Sequence, residues 1–404
     1  MKPLGHHKCM TRLPILCSAL CAALTCLATA QVPQWSLVPE LRYPESADGP
    51  LTEIMRLVAS PACHIYVVDI NIKAVLVFDV SGEHRHTIGR RGGGPGEFQR
   101  LYGIGWLSDT LWVVDDASNR ISLFDQEGSL HEVRKMPQVS SGPTGMPLRA
   151  KALLADGSYL MLPSYSYSEL AEREDEGIPL VRVVPTAETV DTVRSLVAKN
   201  YSLMLDIPNG MLQANQPWST KDLLAVSRAG DRAIVVERPQ PIDSDSGEYR
   251  VIALDAAGQM IYERRIPWTP VPLTDSMVAE WITWYLEVTA LEERFPSRAA
   301  AHRALEKSLY RPDYLPAVPR GARGLFRGSV VVGSDETVWI RRELGEADAQ
   351  HWDVLDANGE LIANASAPKG LLMYDVSADY AWGAIKDSMD VPVIVRLRIS
   401  RSDL

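Results

Sequence analysis

A chain of 404 residues with 46% hydrophobic and 23% charged residues has the balance of a folded globular protein and is too apolar to be disordered. Its formal net charge of −10 argues against nonspecific attraction to nucleic acid or to anionic lipid, although a local basic patch survives such a balance. Length alone points to about two or three domains, but closed all-β architectures exceed that prior as one unit, so repeats decide the matter.

The first 30 residues stand apart. Lys2, Lys8 and Arg12 give a positive start, Leu13 to Leu27 an apolar run, and Ala28-Thr29-Ala30 a small-residue cleavage site. This predicts a signal peptide over residues 1–30 and an exported mature chain, periplasmic or extracellular. The apolar run falls short of the roughly 20 residues of a spanning helix, and no later stretch reaches that length without charge, so the mature chain is expected to lack a transmembrane span. Of the five cysteines, Cys9, Cys17, Cys21 and Cys26 lie in this segment, which leaves Cys63 alone and excludes an intrachain disulfide after cleavage. Lipid anchoring at Cys26 is the lesser alternative, because Ala23-Leu24-Thr25 is a poor lipobox. Losing Lys2, Lys8 and Arg12 takes the basic residues from 41 to 38 against 51 acidic ones, a net of −13.

In chain order, the first strand candidate is Trp35 to Tyr43 (WSLVPELRY), which belongs to no repeat. Ile65 to Gly82 (IYVVDINIKAVLVFDVSG) and Leu111 to Gly128 (LWVVDDASNRISLFDQEG) then superpose without a gap at an offset of 46 residues, with Asp69 on Asp115, Phe78 on Phe124 and Gly82 on Gly128. A period of about 40–50 residues with strand-like content is what propeller blades show, since each four-stranded blade needs neighbours to cover its faces. The β-branched and aromatic runs fit strands, and the Asp-x-x-Gly ending fits a tight hairpin whose glycine takes a positive φ.

Leu153 to Leu162 with Leu180 to Val193 make a third blade. Ala233 to Glu237 with Tyr249 to Gly258 make a fourth, and Thr337 to Arg341 with Trp352 to Gly359 a fifth, both keeping the Asp-x-x-Gly turn. Between these two the period turns helical. Met277, Trp281, Trp284, Val288 and Leu291 form one stripe behind a Thr274 N-cap, and Pro296 separates a second helix from Arg298 to Leu309. A helical hairpin over about 274–309, inserted between blades four and five, is therefore expected to cap one face, cover a blade edge or bind a partner. Leu371 to Ile399 gives a sixth blade, in which Pro392 begins a strand or lies at an edge. That blade is short by one strand, which Trp35 to Tyr43 supplies, closing the ring and removing an open edge. The expected fold class is all-β, a single six-bladed β-propeller over residues 31–404.

VVDDASNRISLFDQEG resembles an NHL-type repeat, and GRRGGGPGEF (Gly89 to Phe98) is similar to the Gly-x-Gly-Pro-Gly-Glu-Phe stretch of bacterial exported six-bladed β-propeller proteins. WGAIKDSMDVPVIVRLRI is similar to the close of such proteins, where Gly-x-x-x-Asp precedes a final strand. The resemblance covers nearly all of residues 35 to 400, most strongly in the first two blades, and it implies fold and export. It carries no catalytic residues over to this chain.

Candidate chemistry is sparse. Gly89 to Gly96 lacks the Walker lysine and the following helix of a phosphate loop, so it reads as a link between blades anchored by Glu97 and Phe98, with Arg90 and Arg91 as candidates to line the central channel. Asp69 and Asp115 end equivalent strands, and Asn119 and Arg120 follow in the second hairpin, where the first blade has Lys73 and Ala74. All four are candidate binding residues, although aspartate and asparagine also bond their own backbone in such turns. His84 and His86 alternate on one strand without a third metal ligand nearby. Cys63 beside His64 reads as a small apolar residue rather than a nucleophile. No Gly-x-Ser-x-Gly or His-Glu-x-x-His arrangement is present.

The expected function is a monomeric binding scaffold for a protein or small-molecule ligand, with no nucleic-acid partner and no cofactor predicted. Two alternatives stay open. One is a hydrolase or lyase with a calcium or transition-metal site in the channel, and the other a cell-surface structural or carbohydrate-contacting protein.

Overall fold

The computed structural model describes residues 32–43, 51–137, 146–166, 169, 175–185, 190–239, 247–319, 328–345, 348–389 and 391–402. The chain divides into Met1–Gln31 and a second unit, Val32–Leu404. Residues 1–30, with Cys26 and the expected cleavage site, lie outside the described residues.

The second unit is an all-β propeller. Its first four-stranded sheet holds β2 (Ile54–Ala59), β3 (Ile65–Asp69), β4 (Ala74–Phe78) and β5 (His84–Ile88), paired in that order. The second holds β6 (Leu101–Leu107), β7 (Thr110–Asp115), β8 (Arg120–Phe124) and β9 (Leu130–Lys135), and the third β10 (Leu148–Leu153), β11 (Tyr159–Pro163), β12 (Ile178–Val183) and β13 (Val190–Leu196). A separate hairpin follows, β14 (Ser202–Ile207) and β15 (Gly210–Asn215), before the fourth sheet of β16 (Leu223–Val226), β17 (Arg232–Glu237), β18 (Gly247–Asp255) and β19 (Met260–Trp268). Next come helices α1 (Asp275–Thr289) and α2 (Arg298–Ser308). The remaining strands are β20 (Val330–Val332), β21 (Val338–Arg342), β22 (Ala349–Leu355), β23 (Leu361–Pro368), β24 (Leu372–Val376), β25 (Tyr380–Lys386) and β26 (Pro392–Arg401). With β1 (Gln34–Arg42) they form an eight-stranded sheet in the order β20-β21-β22-β23-β1-β26-β25-β24.

The N-terminal strand does complete the last sheet. β1 runs antiparallel to β26, with Trp35 opposite Arg401 and Arg42 opposite Val395, and pairs in parallel with β23 over Gln34–Ser36. Pro392 is the first residue of β26, where a missing N–H does least harm to the ladder.

Why the middle strands are continuous apolar runs is visible in their burial. Every residue of β3 (IYVVD) and β4 (AVLVF) is buried, because neighbouring sheets cover both faces, whereas β9 (LHEVRK) at an outer edge is largely exposed. One apolar core joins the last sheet to the first through Trp382 and Ile394 against Leu57, Leu76 and Phe78, and another joins the first to the second through Tyr66 and Val77 against Trp106 and Val113. The innermost strands touch in sequence, β24 to β2 to β6 to β10 and β16 to β20 to β24, around a central channel. Since strands alternate in direction, the turns from first to second strands share one face. The links between sheets share the other, called here the link face.

The Asp-x-x-Gly turns are as expected. Gly82, Gly128, Gly258 and Gly359 each take a φ between 82° and 91° and donate to the carbonyl of the turn aspartate at 2.9–3.2 Å. At Gly359 a Cβ would also lie 2.6 Å from Tyr262 Cε2 on the preceding sheet, while Gly157 has the same φ of +82° with nothing within 4 Å. Gly157→Ala should therefore cost about 1 kcal/mol of backbone strain, and Gly359→Ala a further 1–2 kcal/mol for displacing a packed aromatic. Urea denaturation of the pair checks this, and equal losses would show that the turn does not press on its neighbour.

Thr274 caps α1, accepting from Met277 N at 3.3 Å. The buried stripe of that helix, however, is Val278, Ile282 and Leu286, while Trp284 and Val288 of the expected stripe are 39% and 49% exposed. The reason is a partner that the helical periodicity does not reveal. Leu203 and Leu205 of β14, with Trp218, pack against the aliphatic stripe and against Ala301 and Leu305 of α2, so hairpin and helices form one cap. Among the described residues no helix is long and apolar enough to cross a membrane.

Candidate ligand site in the channel and at its rim

The glycine-rich link between the first two sheets is a rigid loop. Glu97 folds back over it, accepting from Gly94 N at 2.9 Å and Arg90 Nε at 2.9 Å, and its carboxylate occupies the space where a side chain on Gly92 would begin. Phe98 is fully buried between the sheets and donates its N–H to Arg90 O at 2.8 Å. Arg120 clamps the loop from below, donating to the carbonyls of Gly93, Gly94 and Glu97 at 3.0, 2.8 and 2.6 Å.

These contacts place the expected binding residues. Arg120 serves the loop and pairs with Asp115 at 3.7 Å. Asp115 is fully buried and accepts from Gln99 N and Arg100 N at 3.1 and 2.9 Å, and the equivalent Asp69 accepts from Thr52 N, Glu53 N, Asn71 N and Ile72 N at 2.8–3.2 Å. Each aspartate thus ties a link to the end of a second strand. Asn119 takes a φ of +49° and donates from Nδ2 to Met136 O at 3.4 Å. Arg90 is exposed and paired with Glu97. Arg91 lines a cleft of about 520 Å³ on the link face, together with Lys73, Gly92, Gly93, Gln99, Arg100 and Ala117.

Deeper in, a structural device missed in the sequence governs the lumen. The pairing of first to second strand slips by one residue in β2, β6, β10 and β24, leaving Met55, Tyr102, Lys151 and Tyr374 as bulged residues. A bulge re-aims its side chain, and here it does so at the innermost strand. Lys151 Nζ donates to the Tyr102 hydroxyl and lies 4.6 Å from the centroid of its ring. Burial alone would raise the Tyr102 phenol, but the charges of Lys151 and Arg56 together hold it below its ordinary value. Tyr374 donates to Ile54 O at 3.2 Å.

Arg56, next to the first bulge, is accessible to water, and yet desolvation lowers its pKa, with the fields of Tyr102 and Tyr374 opposing. Arg56 stands on the innermost strand β2, between Tyr102 of β6 and Tyr374 of β24. Arg56 has no hydrogen bond or ion pair among the described residues. Above it, Arg100 and Arg149 both pair with Asp116, the one carboxylate hydrogen-bonded to a cation of this group among the described residues.

The opposite end of the channel is crossed by a strut. Arg228, in the turn after β16, donates to Ala59 O at 2.6 Å at the end of β2, and Asp375 of β24 accepts from Ala59 N at 2.6 Å. Burial pushes the Asp375 carboxyl up to about 6 against the pull of Arg228.

The other candidates stay apart. His84 bonds Thr87 at 3.1 Å, and a bulge at Val77/Phe78 breaks the alternation that would align it with His86. Cys63 sits in a turn with a φ of +59°. Among the described residues no three His, Cys, Asp or Glu side chains converge into a metal-ligand set.

A family model described as a 6-bladed beta-propeller, DUF5128, matches residues 45–154. No curated protein matches the chain in sequence. Among solved structures, the chain is similar to a member of the DUF4221 family from Bacteroides vulgatus, at 12% identity and a TM-score of 0.50 over 92% of this chain and 100% of that one. It also matches a protein of Bacteroides fragilis considered to be exported, at 13% identity and a TM-score of 0.44 over 91% and 96% of the two chains. A virginiamycin B lyase from Staphylococcus aureus matches at 10% identity and a TM-score of 0.40 over 90% and 99%. The first of these likenesses shows the fold and nothing of the activity. The chain resembles bacterial exported six-bladed propeller proteins.

Proposed function

We propose that this chain is an exported, monomeric six-bladed β-propeller, capped by an insertion between its fourth and fifth blades, that binds an anionic ligand in a channel open at the link face. Export is supported by the basic, apolar and small-residue order of residues 1–30. Arg56 is the observation that carries the binding reading. A guanidinium held in a desolvating lumen without a counter-charge is unfavourable, and an anion entering beside Lys151 relieves it. The Arg228 strut favours a ligand that enters from the link face and stops in the lumen. A cationic well in a protein of net charge −10 focuses its field where low-dielectric walls concentrate it.

The purified protein should be stabilised in a saturable way by citrate or sulfate at constant ionic strength, read by thermal melting and calorimetry. Arg56→Ala should weaken that binding at least tenfold, and Arg85→Ala, on an outer strand, should leave it unchanged. Stabilisation by no anion, or equal binding by the Arg56 variant, would remove the site.

A further inference from the structure

We infer that the cleft on the link face between the first and second sheets is a second anion site, separate from the lumen, and that it takes a tetrahedral phosphate group, free or as a monoester. It stands on residues that the lumen reading does not use.

The cleft is lined by three cations, Lys73, Arg91 and Arg100, and, among the described residues, by no carboxylate. Arg100 shares its charge with Asp116. Lys73 is half-buried and Arg91 exposed, and neither side chain has a hydrogen bond or an ion pair among the described residues. Two like charges lining one concavity repel each other, and a bound anion removes that repulsion. In a chain of net charge −10 the cleft is a local reversal of sign.

Both cations are carried on fixed backbone. Lys73 closes the turn after β3, where its N–H donates to Asp69 O at 3.0 Å while the buried Asp69 carboxylate accepts from Asn71 N and Ile72 N at 2.9 and 3.2 Å. The second sheet has Asn119 at this place, with a φ of +49° against +59° at Lys73. Such a left-handed position favours asparagine or glycine, so a lysine there serves the turn less well than the residue of the neighbouring repeat. Arg91 is carried by the glycine-rich loop, and the contacts that fix this loop also engage its acceptors. Arg120 takes the carbonyls of Gly93, Gly94 and Glu97, and the Glu97 carboxylate is held by Gly94 N and Arg90. The loop contributes to the cleft a cation and two glycines. On Gly93 a Cβ would meet only the Gln99 amide nitrogen, at 3.3 Å, so a ligand can approach the backbone there.

Charge and shape select the anion. Two uncompensated cations match a dianion, and a phosphate monoester carries a charge of about −1.5 to −2 at neutral pH on three acceptor oxygens. Those oxygens face three separate segments: the turn at Lys73, the loop at Arg91, and the link at Gln99 and Arg100. A carboxylate brings one charge and two oxygens in a plane. The volume of about 520 Å³ lies in the range of small-ligand sites and leaves room beside one phosphate for a group esterified to it.

Calorimetry on the full chain tests this with inorganic phosphate, phenyl phosphate and acetate at equal ionic strength. The Arg56→Ala protein isolates the rim from the lumen, and in it inorganic phosphate and phenyl phosphate should bind at one site, the tighter of the two naming the source. Acetate should bind at least tenfold more weakly. Adding Lys73→Ala and Arg91→Ala should weaken phosphate binding at least tenfold with no change in the melting temperature of the unliganded protein, whereas Lys73→Arg, which keeps the charge, should retain most of the affinity. Citrate binding to the Lys73→Ala/Arg91→Ala protein reports the lumen alone. Absence of phosphate binding in the Arg56→Ala protein, binding untouched by the loss of both rim cations, or acetate held as tightly as phosphate overturns this inference and leaves the lumen site standing. Loss of citrate binding, with phosphate still bound at Lys73 and Arg91, overturns the lumen reading and leaves the rim site standing.

Discussion

Replacing Arg238 with methionine should lower the free energy of unfolding by about 3–5 kcal/mol, among the largest losses any single substitution in this chain would give. Arg238 is only 1% exposed and its guanidinium meets backbone oxygens: Lys221 O at 2.9 and 2.6 Å, Ser219 O at 2.9 Å and Val318 O at 2.5 Å. Ser219 and Lys221 close the segment that carries the β14–β15 hairpin, and Val318 follows the two helices. The side chain therefore fastens both insertions to the end of β17. Methionine would fill much of the volume and leave three buried carbonyls without this donor, each worth about 1 kcal/mol or more. Lysine keeps the charge, but an ammonium lacks the planar fork that reaches three carbonyls at once, so Arg238→Lys should fall between the two. Urea denaturation followed by tryptophan fluorescence gives the loss, since Trp218 and Trp281 lie 6.1 Å apart in the cap. Limited proteolysis should show the cap released before the sheets. A loss under 1 kcal/mol would mean that the cap holds by its apolar core alone.

The parts of this molecule that repeat were legible and the parts that are aimed were not. Asp69 on Asp115 and the four turn glycines announce the sheets because each sheet solves the same problem of turning tightly against a neighbour. The unassigned strand at Trp35 and the deficit near the C-terminus predict their own pairing. The β14–β15 hairpin carries its own turn signal, Pro208-Asn209-Gly210 between two alternating runs. Missing it displaced the expected helix stripe, since an amphipathic face shows its partner's position only once the partner is known. The lumen is harder. Ile54 pairs with Asp69 and Leu101 with Asp115, so the first strands align at an offset of 47 residues (101 − 54) while the second strands keep 46 (115 − 69). A strict 46-residue comparison sets Arg56 on Tyr102, whereas the bulges make Met55 the counterpart of Tyr102. Side chains gathered from four sheets by a local slip in pairing leave no spacing to read. Conversely, the conspicuous Arg120 and Asp115 were drawn to attention by their place in the repeat, and they hold the loop that displays Arg91.

Stability should fall as pH rises from about 4 to about 7, the reverse of what paired surface carboxylates produce. Asp222 opens the fourth sheet and is 3% exposed, and burial pushes its carboxyl up to about 7. Glu237 adds to that, while the Val197 N–H at 2.8 Å and the charges of Arg238 and Arg194 pull the other way without prevailing. A carboxyl whose folded pKa lies above its unfolded one binds its proton more tightly in the native state. Its contribution is fully present below the unfolded value near 4 and lost as pH climbs through the folded value. Asp375, raised to about 6, acts in the same sense over a narrower window. Glu40, Asp79 and Asp125 are lowered by hydrogen bonds and nearby charge and act oppositely, but they are solvated and screened. The melting temperature should therefore be higher at pH 5 than at pH 8, with Asp222 accounting for a few kcal/mol of the difference. Asp222→Asn keeps an oxygen for Val197 N–H and cannot ionise, so its stability should vary less between those two pH values and exceed the wild type at pH 8. A variant whose pH profile runs parallel to the wild type would place the titration elsewhere, and a wild type that gains stability up to pH 8 would show that Asp222 is ionised throughout, held by Arg238 and Arg194.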